Sequence, residues 1–312
     1  MSEPLMMREA FGKALVDLGM KHPNIVVLDA DLANSTKASF FRDEFPDRFF
    51  QVGVAEQNML GVAAGLAYVG LIPFAVTYAC FLKRGLDQIR MLIAQPKANV
   101  KLIGSYSGLC AGLSGKSHQT VQDIAIMRSM PNMTVVAPLD IVETANVLRV
   151  ITAKPVPVYV RLVRGPTSVV FSKDERFIPE KAIFLRTGTD IALISTGTQT
   201  VQVLEAADIL KAKGINPCVL HVCWIKPIDE ESIVKAAKNT GMVMTIEEHN
   251  IIGGLGSAVA EVLSEYHPTP IKRLGIRDTF GQTGSPSDLI ENYELTGAQI
   301  ASSACTFLKR KS

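Results

Sequence analysis

Six apolar, strand-like runs alternate with helical patterns through the first 165 residues: NIVVLDAD, FFQVGV, IPFAVTY, VKLIGSY, MTVVAP and VPVYVRL. Neighbouring parallel strands need a crossover of a dozen or more residues, usually a helix, so this alternation predicts βαβ units and a doubly wound, mostly parallel sheet. The stretch FSKDERFIPE carries charges and proline without a period, and a connector is expected over 166–185. A second, smaller α/β domain is expected over 186–312, with strands in DIALIST, INPCVLHV, GMVMTIEEHN and PIKRLGI. Its helices are expected at 199–213, 229–239, 255–265 and 294–308. Ligands of such sheets bind beyond the carboxyl ends of the strands. Asp29, Asp31, Glu56, Tyr78 and Tyr106 fall at or just past those ends.

Composition removes several function classes. Net charge is +2, from 32 basic and 30 acidic residues mixed along the chain, without the basic stripe that nucleic acid requires. Apolar stretches such as VAAGLAYVGLIPFAV are interrupted by glycine and proline, which argues for buried core and against a membrane span. The first 19 residues contain acids and no signal-peptide pattern, so a cytoplasmic protein is expected. Five cysteines without a Cys-x-x-Cys pair predict free thiols and no zinc site.

Chemistry-bearing residues gather in three stretches. In FFQVGVAEQNMLGVAAGLAYVG, Glu56 opens an Ala/Gly-rich helix. An acid in a first turn is favoured by the helix dipole, but Gly53, Gly61 and Gly65 also leave room for a ligand or a close backbone. TYACFLKRGLDQIR places Tyr78, Phe81 and Arg84 three apart, either as core aromatics with a solvated arginine or as a ring-binding wall. His118 in GLSGKSHQT precedes a helical pattern, as a capping residue or a catalyst. EEHNIIGGLGSAVAEVL lacks the Gly-x-Gly-x-x-Gly spacing and reads as a structural turn, with His249 in a loop serving assembly.

In order and spacing, RFFQVGVAEQNMLGVAAGLA, TYACFLKRGLDQIR and SHQTVQDIAIMRSMPNMTVVAPLD resemble the pyrimidine-binding and C-terminal domains of transketolase, over essentially the whole chain. The resemblance implies thiamine diphosphate as cofactor, with Mg2+ or Ca2+ held mainly by a partner, because no Gly-Asp-Gly followed by an Asn-rich segment occurs in these residues. It implies the C-terminal subunit of a split transketolase, joined to an N-terminal diphosphate-binding subunit in a dimer of heterodimers. Ketose and aldose phosphates are the implied substrates. Glu56 would bond N1′ of the aminopyrimidine and favour the imino tautomer that takes the thiazolium C2 proton. Tyr78, Phe81, Arg84 and Asp31 match cofactor-side positions, although Asp31 is equally suited to be a helix N-cap. His118 matches a residue that contacts the donor ketose oxygen, and Arg8, Ser35 and Arg164 match sugar-phosphate contacts, with Arg161 a further neighbour.

Two positions depart from that pattern. Tyr106 stands where transketolases place a histidine that helps bind acceptor phosphate, and Ser114 where they place an aspartate on the donor C2 hydroxyl. Both changes touch substrate and neither touches cofactor. The alternatives are the β subunit of a 2-oxo acid dehydrogenase, a deoxyxylulose-phosphate-synthase-like subunit, and a non-catalytic assembly subunit.

Overall fold

A computed structural model describes residues 6–172 and 177–309. The middle of the FSKDERFIPE connector, residues 173–176, lies outside the described residues. The strands are β1 (Ile25–Asp29), β2 (Phe49–Gln51), β3 (Ile72–Tyr78), β4 (Lys101–Ser105), β5 (Thr134–Val136), β6 (Val158–Arg161), β7 (Ile183–Arg186), β8 (Ile191–Ser195), β9 (Pro217–His221), β10 (Trp224–Lys226), β11 (Val243–Asn250) and β12 (Ile271–Ile276). They form two sheets, ordered β10-β5-β6-β4-β3-β1-β2 and β12-β11-β8-β9-β7. Only β10 on β5 and β7 on β9 are antiparallel, both at sheet edges.

The central strands β1, β3 and β4 are buried along their whole length, which is why β1 and β3 read as mostly apolar runs without alternation, while β4 also buries Lys101. Helices cover both faces of the first sheet. Phe11, Leu15, Phe41 and Phe74 pack one side, and Met59, Leu60, Ile89 and Tyr159 the other. In the second half, helices Gln199–Ala212, Glu230–Thr240 and Leu255–Tyr266 fall where the apolar period places them. The last expected helix is Gly297–Leu308, capped by the Thr296–Gln299 capping box, and a short helix not expected from the sequence, Pro286–Asn292 capped by Ser285, precedes it. No helix of the described residues is long and apolar enough to cross a membrane. All five cysteines are free.

The two sheets meet through buried charge. Arg161, at the end of β6, donates to Asp123 Oδ2 at 3.0 Å and to the Glu248 carbonyl at 2.9 Å, and Tyr159 donates to the same Asp123 oxygen at 2.7 Å. This corrects the reading of Arg161 as a phosphate neighbour: its guanidinium, 5% exposed, is spent inside the contact. His249 is corrected as well. It is a buried residue of β11, with Nδ1–H donating to the Asn250 carbonyl at 2.6 Å and Nε2 accepting from Ala125 N–H at 3.4 Å. The glycines that follow it are structural, as expected: a methyl on Gly254 would lie 2.0 Å from the Glu247 oxygen that accepts Leu255 N–H.

A pH dependence follows from this corner. Protonating His249 Nε2 would expel the Ala125 N–H, and burial, only partly offset by Asp123, lowers the imidazole from 6.5 to about 4. Its contribution to stability is therefore complete above pH 6.5 and lost as pH falls toward 4. Burial also raises Glu247 from 4.5 to about 7, so its contribution is present below pH 4.5 and lost as pH rises through 7. The two oppose each other. In His249→Gln only the Glu247 contribution remains, so the melting temperature at pH 5 minus that at pH 7.5 should be more positive than in the wild type, as read by circular dichroism.

Candidate active site

The carboxyl ends of the first sheet gather the aromatic residues. β3 delivers Tyr78 and turns into the short helix Ala79–Leu82, which sets the Phe81 ring nearly parallel to Tyr78, centroids 5.6 Å apart. β4 delivers Tyr106, a bulky side chain held at φ 56°, where a Cβ-bearing residue is strained. Its ring stacks on Tyr78 at 4.0 Å. His118 stands edge-on to this wall, 5.5 Å from Phe81 and 6.3 Å from Tyr78, with Nδ1 bonded to Ser117 Oγ at 2.9 Å.

Positive charge flanks the wall. Arg8 Nη1 donates to Tyr106 Oη at 2.9 Å and to the Ser35 carbonyl at 3.2 Å, while its buried Nε has no partner. The Arg164 guanidinium lies over the Tyr106 ring at 5.1 Å. The Tyr78 phenol, which shares a hydrogen bond with Ser35, is pushed up to about 12 chiefly by burial and stays protonated. Arg8, Ser35, Tyr78, Phe81, Tyr106, His118 and Arg164, picked one by one from the sequence, thus form one contiguous cluster.

Glu56 is the first residue of helix Glu56–Tyr68, only 3% exposed, and its carboxylate accepts from Arg84 Nη1 at 3.2 and 3.4 Å. Arg84 in turn lies 5.3 Å from the Phe81 ring and is half exposed, so it joins the acid to the wall. The room suggested by the small residues opens outward. A methyl built on Gly53, Gly61 or Gly65 meets nothing within 4 Å, and the same surface shows Val54 at 69% and Val69 at 75% exposure.

Asp31 is exposed at φ 64° and does not cap the following helix. Leu32 is the N-cap, and the helix's first N–H groups are met from Asp29, whose Oδ1 accepts from Leu32 N, Ala33 N and Gln51 Nε2. Ser114 lies exposed at the end of the turn Leu109–Ser114. Among the described residues one triad has metal-ligating donors, Glu143, His221 and Cys223, buried where helix Ile141–Ala153 meets β9. There His221 bridges Thr200 Oγ1 and Glu143 Oε2 at 2.9 Å each, and the triad shares no residue with the aromatic cluster. Sequence reasoning missed Gln119 and Glu248, which anchor the loop carrying His118. The glycine spacing in GLCAGLSG was the available signal, since it marks close backbone approach.

A flat aromatic wall, an adjacent buried carboxylate and a histidine edge fit an aminopyrimidine ring. Comparison with known proteins gives the family. The transketolase pyrimidine-binding domain matches residues 3–168 and the transketolase C-terminal domain residues 180–300. A Methanocaldococcus jannaschii protein bearing the name transketolase C-terminal section is 45% identical over 98% of this chain and 97% of its own. A 6-deoxy-6-sulfo-D-fructose transketolase subunit of a Clostridium species is 40% identical over 98% and 95%. A solved structure described as a split-gene transketolase, inactive β4 tetramer, superposes with a TM-score of 0.91 at 46% identity, covering 98% of this chain and 99% of that one. The chain therefore belongs to the transketolase family and carries the pyrimidine-binding and C-terminal domains found in the C-terminal section of split transketolases.

Proposed function

We propose that this chain is one half of a thiamine-diphosphate-dependent transketolase, moving a two-carbon ketol unit from a ketose phosphate to an aldose phosphate. Its domains would be 1–165 and 186–312, joined by 166–185. The observation that carries this reading is the juxtaposition of buried Glu56, the Tyr78–Phe81 wall and His118 beside an uncovered apolar surface. When bound, the cofactor supplies a carbanion equivalent that can attack a ketose carbonyl. Phe81 would stack on the face of its pyrimidine, Tyr78 would line the same pocket, and Glu56 would share a proton with ring nitrogen N1′. Arg84 pairs with that carboxylate at 3.2 Å. His118 would donate to the donor-sugar oxygen, and Arg8, Ser35 and Arg164 would hold the phosphate end. Asp31 would face the cofactor near the subunit contact.

The diphosphate and its Mg2+ or Ca2+ would be held by an N-terminal subunit seated on the helix Glu56–Tyr68, in a dimer of heterodimers. That a relative of 46% identity is described as an inactive β4 tetramer supports the need for such a partner. Ketol transfer from a ketose phosphate, measured with and without that subunit, tests the proposal: turnover should require both chains. Release of carbon dioxide from a 2-oxo acid would instead favour the dehydrogenase reading.

Tyr106 shapes the substrate. Histidine tolerates positive φ better than tyrosine and can charge, so Tyr106→His should fold and gain a charge-assisted contact to acceptor phosphate. A net gain of about 1.5 kcal/mol corresponds to roughly a tenfold lower KM for phosphorylated aldoses, with kcat little changed. Steady-state kinetics on phosphorylated and free aldoses would show it, and an unchanged ratio between them would refute the role.

A further inference from the structure

We propose that the C-terminal domain acts as a clasp on the glycine-rich loop 106–122, with Gln119 as the positioning residue that sets His118 against the aromatic wall. The inference rests on the reading of His118 as substrate-facing. Gly108, Gly112 and Gly115 all have positive φ, at 70°, 54° and 71°. A methyl on each would run into the other domain: 2.6 Å from Glu248 Oε1, 3.2 Å from the Gly284 carbonyl and 2.5 Å from Thr283 Oγ1. The glycines thus serve approach between domains, and the spacing GLCAGLSG is the imprint of that contact.

Hydrogen bonds then lock what the glycines bring near. Glu248 Oε1 accepts Leu109 N–H at 2.5 Å, and Asn250 N–H donates to the Val121 carbonyl at 2.7 Å, pinning both ends of the loop. Gln119, 5% exposed, donates from Nε2 to the Gln282 carbonyl at 2.8 Å and reaches back to the Gly112 carbonyl at 3.4 Å. Gly281 completes the fit, because a methyl there would sit 1.7 Å from Gln119 Oε1. Within the loop, Gly108 N–H donates to the Thr120 carbonyl and the His118 and Gln119 N–H groups to the Gly115 carbonyl, and the anchors fix this unit against the C-terminal domain. Since His118 is the next residue, loosening Gln119 displaces the imidazole, and a shift of about 1 Å at a reacting group costs on the order of 10²-fold in rate.

The test is amide hydrogen exchange on the full chain alone, with Gln119→Ala, Gly281→Ala and their double variant. Each single change should speed exchange across 106–122 by about tenfold or more while β3 and β8 stay protected. The double variant should resemble Gln119→Ala alone, because the methyl then occupies vacated space. Glu248→Gln keeps an acceptor for Leu109 and should retain protection that Glu248→Ala loses, and this pair carries the test if Gly281→Ala does not fold. With the partner subunit present, kcat/KM should fall about 10²-fold in Gln119→Ala and no further in the double variant. Unchanged loop exchange in Gln119→Ala, additive effects in the double variant, or a loosened loop with unaltered kcat/KM would overturn the clasp. Exchange is read without cofactor, so absence of ketol transfer in the wild type would remove the functional reading and leave this result standing.

Discussion

Glu56→Ala, assayed with the diphosphate-binding partner, should lower ketol transfer by about 10³-fold while leaving the fold intact. Proton transfer by a positioned side chain contributes on the order of 10²–10⁴-fold, and no second carboxylate touches the aromatic wall among the described contacts. Structurally the change is mild. Arg84, half exposed, relaxes into water, and the helix loses one first-turn acid, a matter of about 0.3–1 kcal/mol. Glu56→Gln separates the two roles of the carboxylate, since the amide keeps the shape and cannot exchange the proton. Both variants should therefore fall together in kcat, with unchanged circular dichroism. Activity of Glu56→Ala within tenfold of the wild type would assign the acid to packing alone.

The largest effect on stability is expected from Arg161→Leu. Arg161 and Asp123 are 5% and 2% exposed, and Glu248 is also buried at this contact, so removing the guanidinium leaves two carboxylates without their cation. Breaking a buried pair from one side costs about 3–5 kcal/mol. For a chain of 312 residues that corresponds to a fall of roughly 5–8 °C in melting temperature. Little rescue by salt is expected, because the pair lies away from solvent. A fall under about 3 °C would mean that water enters the contact or that the carboxyls are neutral there.

How much of this was legible depended on where each residue's partners lie in the chain. β1 and β3 were readable because burial on both faces writes a mostly apolar run between turns. β10 was not: its three residues, Trp224–Lys226, follow β9 directly and become a strand only by pairing with β5 of the other sheet. Asp29 and Asp31 look alike in the sequence, yet the backbone turns to positive φ at Asp31 and leaves the first N–H groups of the helix to Asp29. Arg161 and Arg164 are separated by strand register alone: the first closes β6 and enters the domain contact, the second reaches the Tyr106 ring. His249 was misread because its neighbours Asp123 and Ala125 come from the other half of the chain. The cluster of Glu56, Tyr78, Phe81 and His118 was legible for the opposite reason, each residue lying within a few positions of a strand's carboxyl end or a helix start.

The most direct test of the central claim, that this chain holds the pyrimidine side of a site completed by another subunit, is calorimetric titration of thiamine diphosphate with Mg2+. It should be run into the chain alone, into the diphosphate-binding subunit alone and into their mixture. The account predicts saturable binding at one site per pair of chains in the mixture, with far weaker heat in either chain alone. Equal binding by the second subunit with and without this chain, or none in the mixture, would contradict it.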